Sequence, residues 1–200
     1  MYLLSFLLCF NFLSCSPEIL DNSKVKTLDI KSKADEALVF CKSKNMNTDF
    51  CILVDYSIHS GKKRLFVYDF KKDSIVLVGM VSHGCGDNPW GIDATKTNPT
   101  FSNVPESHQS SLGKYKIGKR GYSSWGINVN YKMHGLQKTN SNAYERVIVL
   151  HSWDMIPNEE CYPNGTPEGW GCPAVSNEFM KSLDIKLKSA KKPVLMWCYN

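Results

Sequence analysis

A cysteine in a glycine-rich turn, with a histidine upstream, is the pair of residues in this chain best suited to chemistry. Cys172 lies in the stretch Gly-Trp-Gly-Cys-Pro-Ala-Val-Ser at 169–176, and His151 closes the apolar run at 147–150. An imidazole near a thiol takes its proton, and we expect this to hold the pKa of the thiol below its usual value of about 8.5. The pair therefore predicts acyl transfer, with Cys172 as nucleophile and His151 as general base and acid.

The neighbours of Cys172 restrict which backbone groups stabilise an oxyanion. Pro173 carries no N–H, so the expected donors are the N–H of Cys172 and that of Gly171 or Trp170. A glycine at 171 also lets the backbone approach an acyl carbonyl closely. The alternative is that Cys172 is a half-cystine and His151 a hydrogen-bonded residue at the end of a strand.

The elements that must position these residues are mostly β-strands. Runs of β-branched and aromatic residues predict six strands, of which the fifth leads directly into His151. They span 49–56, 64–70, 74–81, 122–135, 145–150 and 194–199. One helix is predicted at 34–44, and another follows Ser176, a suitable N-cap. The irregular stretches at 82–120 and 153–171 are typical of functional loops. The whole indicates a mostly β, α+β domain.

Composition and the first residues indicate an exported protein with one domain. The chain has 200 residues, 42% of them hydrophobic, and a formal net charge of +5. Its lysines are scattered rather than grouped, which argues against a nucleic-acid partner. Residues 2–13 are too few to span a bilayer and fit the apolar region of a secretory signal.

A cysteine follows the apolar region of the leader. Ser14-Cys15 at this position resembles a bacterial lipoprotein cleavage box. We expect a lipoprotein-type signal peptide at 1–15 with Cys15 lipidated, a polar linker at 16–33 and the catalytic domain at 34–200. The protein would then be periplasmic and would meet the membrane only through its lipid anchor. An ordinary signal peptide with an incidental Cys15, or an uncleaved anchor, are the alternatives.

The remaining cysteines do not form a recognisable framework. Without the leader and Cys172, five cysteines are left, an odd number with no C-x-x-C spacing. They are Cys41, Cys51, Cys85, Cys161 and Cys198. The sequence leaves their disulfide pairing open.

Several ordered segments carry a family resemblance. They are Arg-Leu-Phe-Val-Tyr-Asp at 64–69, the stretch at 101–113 that ends in Ser-Ser-Leu-Gly, the strand at 142–151, and Trp-Gly-Cys-Pro-Ala at 170–174. Together they resemble the murein L,D-transpeptidase catalytic domain, a YkuD-like fold, in its Gly-Cys-Pro-Ala variant. The matching stretches run through most of residues 34–198. Ser152 departs from the glycine of many relatives, and the loop at 153–168 is longer than usual.

The resemblance implies a fold and a reaction. The fold is a β-sandwich with a short N-terminal helix and one helix after the cysteine turn. The reaction uses a peptidoglycan stem tetrapeptide: Cys172 attacks the carbonyl of the diamino acid, D-Ala leaves with a proton from His151, and an amine of a second stem or of an envelope protein takes the acyl group. The resemblance implies no metal and no cofactor.

Five residues are candidates for the oxyanion site or for contact with the substrate. They are Gly171, Trp170, Ser152, His134 and Arg146. A surface position for His134 and a solvated or core-capping role for Arg146 are alternatives. Trp125, Trp153 and Trp170 either shape a groove or belong to the core.

Other functions remain open at this point. Hydrolysis of the acyl-enzyme would make the protein an L,D-carboxypeptidase, and a non-catalytic envelope-binding module would keep the fold alone. A secreted cysteine peptidase lacks a matching motif, and a metal site with His83, Cys85, His151 and Cys172 has no common ligand spacing. Ser-His-Gly-Cys at 82–85 matches the nucleophile motif of other L,D-transpeptidases, but it lies too early in the chain, so Cys85 is expected to be structural.

Overall fold

The computed structural model describes residues 22–200, and their side chains from residue 29 onward. Its helices are α1 (Asn22–Ser43) and α2 (Asn177–Ser189), with a 3-10 turn at Lys138–Asn140. The strands are β1 (Phe50–Asp55), β2 (Leu65–Asp69), β3 (Ser74–Gly79), β4 (Gly113–Tyr122), β5 (Val129–Gly135), β6 (Val149–Ser152), β7 (Ala174–Val175) and β8 (Leu195–Tyr199). Neither helix of this part of the chain has the length and apolar character needed to cross a membrane.

The eight strands form one mixed sheet in the order β3-β2-β1-β8-β4-β5-β6-β7. The β1–β8 and β6–β7 pairs are parallel, and the others are antiparallel. Beyond β3, at one edge, Val81 bridges Val175 of β7 at the other edge, and the Ser82 N–H donates to the Ala174 carbonyl at 2.8 Å. The sheet therefore curls until its edges meet, and its two halves face one another like the layers of a β-sandwich.

The two helices cover opposite faces of the sheet. On α1, Ala34, Ala37 and Cys41 pack against the outer face of β1, β2 and β8. On α2, Phe179 and Leu183 fill the space inside the curl, where they join the inner faces of both halves. Burial of these apolar side chains is the main force that holds the helices in place.

The predicted mostly β fold with two helices is confirmed, including the hairpin of β2 and β3. Ser176 caps α2 as expected, with its hydroxyl accepting from the Phe179 N–H at 3.2 Å. The six described cysteines are all free thiols, so no pairing is present among them.

Four boundaries differ from those predicted. Helix α1 begins at Asn22, so residues 22–33 are helical rather than linker; residues 1–21, with Cys15, lie outside the described part of the chain. Residues 113–120 belong to strand β4 and not to the predicted loop at 82–120, because Gly, Lys and Arg, which make up most of this strand, give no strand pattern in the sequence. The strand predicted at 122–135 begins only at Val129, since Tyr122 ends β4. Strand β6 begins only at Val149, because the chain reaches it through a turn in which Val147 has a positive φ of 57°.

Candidate active site

Parallel pairing of β6 and β7 brings the two predicted catalytic residues together. His151 of β6 is the register partner of Ala174 in β7, and Cys172 lies two residues before Ala174. His151 and Cys172 line the same open pocket, whose volume is about 230 Å³. The side chains that complete the wall are those of Trp90, Trp125, Trp153, Trp170 and Ala174, with Gly169 between them. The predicted pairing of Cys172 with His151 in one site is therefore compatible with the fold.

The Cys172 thiol rests against the backbone that leads into β6. Its Sγ accepts from the Val149 N–H at 3.4 Å and lies 3.9 Å from the Val147 carbonyl. Burial raises the pKa of this thiol, while the Val149 N–H and the charges of Arg146 and Lys132 act in the opposite direction. Burial is the largest of these effects, so Cys172 is a neutral thiol at rest.

The His151 ring is held as a neutral base. Its Nδ1 lies 2.9 Å from the Ser152 carbonyl, which only accepts hydrogen bonds, so the proton is on Nδ1 and Nε2 keeps a free lone pair. Burial lowers the pKa of His151, and the bond to the Ser152 carbonyl partly offsets this. A neutral imidazole with a free Nε2 is the form that takes a proton from a thiol.

The resting pair differs from the predicted thiolate–imidazolium pair. Within residues 22–200, no hydrogen bond joins the Cys172 thiol to the His151 ring, and the pKa of Cys172 is raised rather than lowered. The reason is that the Cys172 side chain is partly buried and its hydrogen bonds go to the backbone of 147–149. Proton transfer to His151 therefore requires the sulfur to turn away from that backbone.

The turn at 169–174, hereafter the Cys172 turn, has unused backbone donors at and just before its cysteine. In the described part of the chain, the N–H groups of Trp170, Gly171 and Cys172 donate to no protein acceptor. Gly171 has a φ of +94°, and a Cβ there would lie 2.5 Å from the Gln109 carbonyl oxygen. Only glycine fits at this position, and the unused N–H groups are available to an oxyanion.

Arg146 holds the loop that lies under the Cys172 turn. Its Nη1 donates to the Ser102 carbonyl and the Ser111 hydroxyl at 2.8 and 2.7 Å, and its Nη2 donates to the Gln109 carbonyl at 2.6 Å. The Gln109 carbonyl is the group that Gly171 packs against. Arg146 therefore positions the turn, and its two terminal nitrogens are occupied by protein acceptors rather than left for a substrate carboxylate.

The Ser-His-Gly-Cys segment at 82–85 braces the Cys172 turn from the other side. The Ser82 hydroxyl donates to the Cys172 carbonyl at 3.4 Å and accepts from the Ala174 N–H at 3.1 Å, so it links the two residues that flank Pro173. The Cys85 N–H donates to the Gly169 carbonyl at 2.8 Å, and the Cys85 side chain is buried. Cys85 is thus placed as a structural residue.

The other three sequence candidates occupy different positions. The Trp170 indole is 62% exposed on the rim of the pocket. Ser152 presents its carbonyl to His151, whereas its hydroxyl is buried and accepts from the Ile127 N–H at 2.9 Å. His134 lies outside the pocket and stacks on Tyr144, with ring centroids 5.0 Å apart, so its position does not favour contact with a substrate held at Cys172.

Three further residues near Cys172 were not predicted from the sequence. Trp90 lines the pocket from a loop that carried no periodic signal. Ser82 belongs to the second motif, from which no catalytic role was expected. Lys132 has a signal that could have identified it: side chains alternate between the two faces of a strand, so Lys132 lies on the same face of β5 as Asn130, the register partner of His151.

Comparison with known proteins decides the family. The model of the L,D-transpeptidase catalytic domain family matches residues 22–197. The chain belongs to this family. The resemblance found in the sequence is thereby confirmed for nearly the whole described chain, whereas none of the curated proteins matches it.

Among solved structures, three similar chains have distant sequences. An L,D-transpeptidase from Xylanimonas cellulosilytica is 14% identical with a TM-score of 0.42, over 75% of this chain and 60% of that one. The Ldtfm–avibactam carbamoyl enzyme is 12% identical with a TM-score of 0.44, over 76% and 49%. The helical cell shape determining protein Pgp2 from Campylobacter jejuni is 14% identical with a TM-score of 0.48, over 83% and 54%. The match spans less than two thirds of each of these chains.

Proposed function

We propose that this protein is a peptidoglycan L,D-transpeptidase with Cys172 as nucleophile and His151 as general base and acid. The observation that carries the proposal is the shared pocket: a thiol and a neutral imidazole with a free Nε2 line one cavity, in a chain of the L,D-transpeptidase family. The donor is a stem tetrapeptide, and the acceptor is an amine of a second stem or of an envelope protein.

Acylation begins when the sulfur leaves the backbone at 147–149 and its proton passes to His151 Nε2. Sγ then attacks the carbonyl carbon of the third stem residue, a C–S bond forms, and the oxyanion meets the unused N–H groups of Gly171 and Cys172. The C–N bond breaks, and the imidazolium gives its proton to the amine of the departing D-Ala. The Nδ1 bond to Ser152 keeps the ring oriented through both transfers.

The second half of the reaction reverses these roles. An acceptor amine attacks the thioester, His151 takes one proton from its nitrogen, and the Cys172 thiol leaves. Water in place of the amine would give hydrolysis, the carboxypeptidase alternative, with the same residues.

The proposal extends to where the protein works. Export to the periplasm with lipid on Cys15 would place the domain beside its substrate. Metabolic labelling with a fatty-acid analogue tests this: label on the wild-type protein and none on Cys15→Ala supports lipidation, and equal labelling of both contradicts it.

Intact-mass spectrometry tests the reaction. The chain is mixed with a murein tetrapeptide as wild type, as Cys172→Ala and as Cys85→Ala. We expect a stem adduct lacking D-Ala on the wild type and on Cys85→Ala, and none on Cys172→Ala. Loss of the adduct in Cys85→Ala alone would show that the nucleophile is Cys85 and not Cys172. The absence of any adduct or released D-Ala from folded wild-type protein would favour a binding module.

A further inference from the structure

Four tryptophans form a connected aromatic wall beside Cys172 and His151. Trp90 is at its centre: its ring centroid lies 5.1 Å from that of Trp153, 6.0 Å from that of Trp125 and 6.3 Å from that of Trp170. Trp153 is buried, whereas Trp90, Trp125 and Trp170 are 44, 43 and 62% exposed. So large an area of open indole next to a reactive thiol points to a ligand, because isolated exposed apolar residues are ordinary but contiguous patches mark binding sites.

The size of the pocket limits what it binds. Its volume of about 230 Å³ is below the range of about 300–1,000 Å³ that holds drug-sized ligands. This volume matches a group of the size of one amino-acid side chain.

The charge of the residues that line the pocket limits the choice of ligand further. Among the described residues, those that line it include no Asp, Glu, Lys or Arg. The faces of indole rings carry negative potential, so they attract an ammonium group and repel a carboxylate. The charged groups near Cys172 lie elsewhere: Lys132 and Arg146 act on the thiol but do not line the pocket.

We propose that this indole pocket is the subsite for an amine carried on an aliphatic chain, and that Trp90 determines the preference for amines over water. The inference rests on the proposed function and adds the group that recognises the acceptor. The ammonium is held against the indole faces and releases its extra proton to solvent. The amine nitrogen then forms the new C–N bond, the C–S bond breaks, and the second N–H proton passes through His151 to the Cys172 sulfur.

Binding is tested first, on protein that cannot turn over. The full chain as Cys172→Ser is titrated with Nα-acetyl-lysine amide, with Nα-acetyl-norleucine amide as the uncharged control and Nα-acetyl-glutamate amide as the acidic control. The indole N–H resonances are followed by NMR. We expect the lysine probe to shift the pocket tryptophans and to bind about 3- to 30-fold more tightly than the norleucine probe, with no shift from the glutamate probe.

Two variants locate the site. Trp90→Leu keeps an apolar side chain at a half-exposed loop position and should weaken the lysine probe about 3- to 30-fold. Tyr144→Leu removes an exposed aromatic ring outside the pocket and should leave the affinity unchanged. Equal binding of the lysine and norleucine probes, binding of the glutamate probe, or an unchanged affinity in Trp90→Leu would each overturn the proposal.

Partition of the acyl-enzyme is tested second, with active protein. Wild type, Trp90→Leu and Tyr144→Leu are acylated with tetrapeptide in the presence of the lysine probe, and amide and hydrolysis products are counted. Counted per acyl-enzyme formed, Trp90→Leu should lower the ratio of amide to hydrolysis products about 3- to 30-fold, whereas Tyr144→Leu, outside the pocket, should leave the ratio unchanged. An unchanged ratio in Trp90→Leu overturns the role of Trp90. Failure of acylation in the wild type would instead contradict the proposed function, and the binding result would stand on its own.

Discussion

The two glycine–cysteine turns of this protein, at 82–85 and at 169–174, differ in whether the backbone N–H groups around the cysteine are already hydrogen-bonded. In the segment at 82–85 and the residue after it, the N–H groups of Gly84, Cys85 and Gly86 donate to the Ser110 hydroxyl, the Gly169 carbonyl and the His108 carbonyl. The Cys172 turn, in contrast, keeps three N–H groups unused in the described chain. The sulfur of Cys85 is buried, and that of Cys172 faces a pocket.

The histidines that accompany the turns differ in the same way. Both ring nitrogens of His83 are occupied: Nδ1 lies 2.8 Å from an Arg64 nitrogen, and Nε2 lies 2.8 Å from the Thr95 hydroxyl and 3.4 Å from Glu168. His151 uses only Nδ1. The Cys172 turn and His151 therefore have free N–H donors and a free ring nitrogen, which catalysis requires. The same groups of the 82–85 segment already hydrogen-bond neighbouring segments, so this segment stabilises the fold.

Exchange of the two histidines for glutamine should separate these roles most clearly. His151→Gln removes the base and should slow D-Ala release about 10²- to 10⁴-fold with little change in the melting temperature. His83→Gln disturbs a fully buried polar network and should cost about 1–3 kcal/mol of stability, with activity retained in the folded fraction. Kinetics and thermal unfolding on both variants check this. A folded but inactive His83→Gln would mean that the 82–85 segment is catalytic.

Two glycines of the Cys172 turn provide the next test. Gly171→Ala places a Cβ 2.5 Å from the Gln109 oxygen at a positive φ, so the turn must shift, and we expect acylation to fall about 10²- to 10³-fold as the N–H donors move. Gly169→Ala meets nothing within 4 Å and should retain most of the activity. Acylation rates by mass spectrometry decide between them, and equal losses would show that the turn tolerates no side chain for another reason.

What the sequence could predict was mostly local. The turn around Cys172, the run into His151 and the N-cap at Ser176 each lie within a few residues of the signal that identified them. The alternation of buried Gly113, Tyr115 and Ile117 along β4 was also present, but the lysines between them made it look like loop.

What it could not predict depends on contacts between distant segments. Ser82 reaches Cys172 across 90 residues, and Arg146 finds its partners in a loop more than 30 residues upstream. The role of Trp90 depends on three other indoles that meet it only in the folded chain. Such residues have no spacing that distinguishes them, because the fold and not the sequence separation sets their distances.

Two buried serines test whether the 82–85 segment braces the Cys172 turn, with a smaller expected effect on acylation. Ser82→Ala leaves the Cys172 carbonyl and the Ala174 N–H without their shared partner, which should cost about 1–3 kcal/mol and slow acylation about 10-fold. Ser60 is equally buried, but its hydroxyl has no partner in the described chain, so Ser60→Ala should be neutral or slightly stabilising. Denaturant unfolding compares the free energies of unfolding of the two variants. A Ser82→Ala variant as stable and active as the wild type would show that the Ser82 hydroxyl does not position the Cys172 turn.

The smallest expected effect concerns the protonation of the pair itself. Because burial raises the pKa of Cys172 above its ordinary value, thiolate absorbance of this residue, measured as the difference from Cys172→Ala, should be absent at neutral pH and grow only at alkaline pH. Burial lowers the pKa of His151 below its ordinary 6.5, so the imidazole is still mostly neutral at pH 6.5. Acylation should therefore fall only at a more acidic pH, where the imidazolium forms.

Substitution of Lys132 tests the protonation state of Cys172 more sharply. Its positive charge favours the thiolate, so Lys132→Gln should raise the pKa of Cys172 further, whereas Lys116→Gln, which removes a charge that does not act on the thiol, should leave it unchanged. Absorbance titrations of the two variants measure the difference. Thiolate already present at neutral pH, and lost in His151→Gln, would instead establish an ion pair at rest and would mean that the sulfur in solution lies against His151 rather than against the backbone of 147–149.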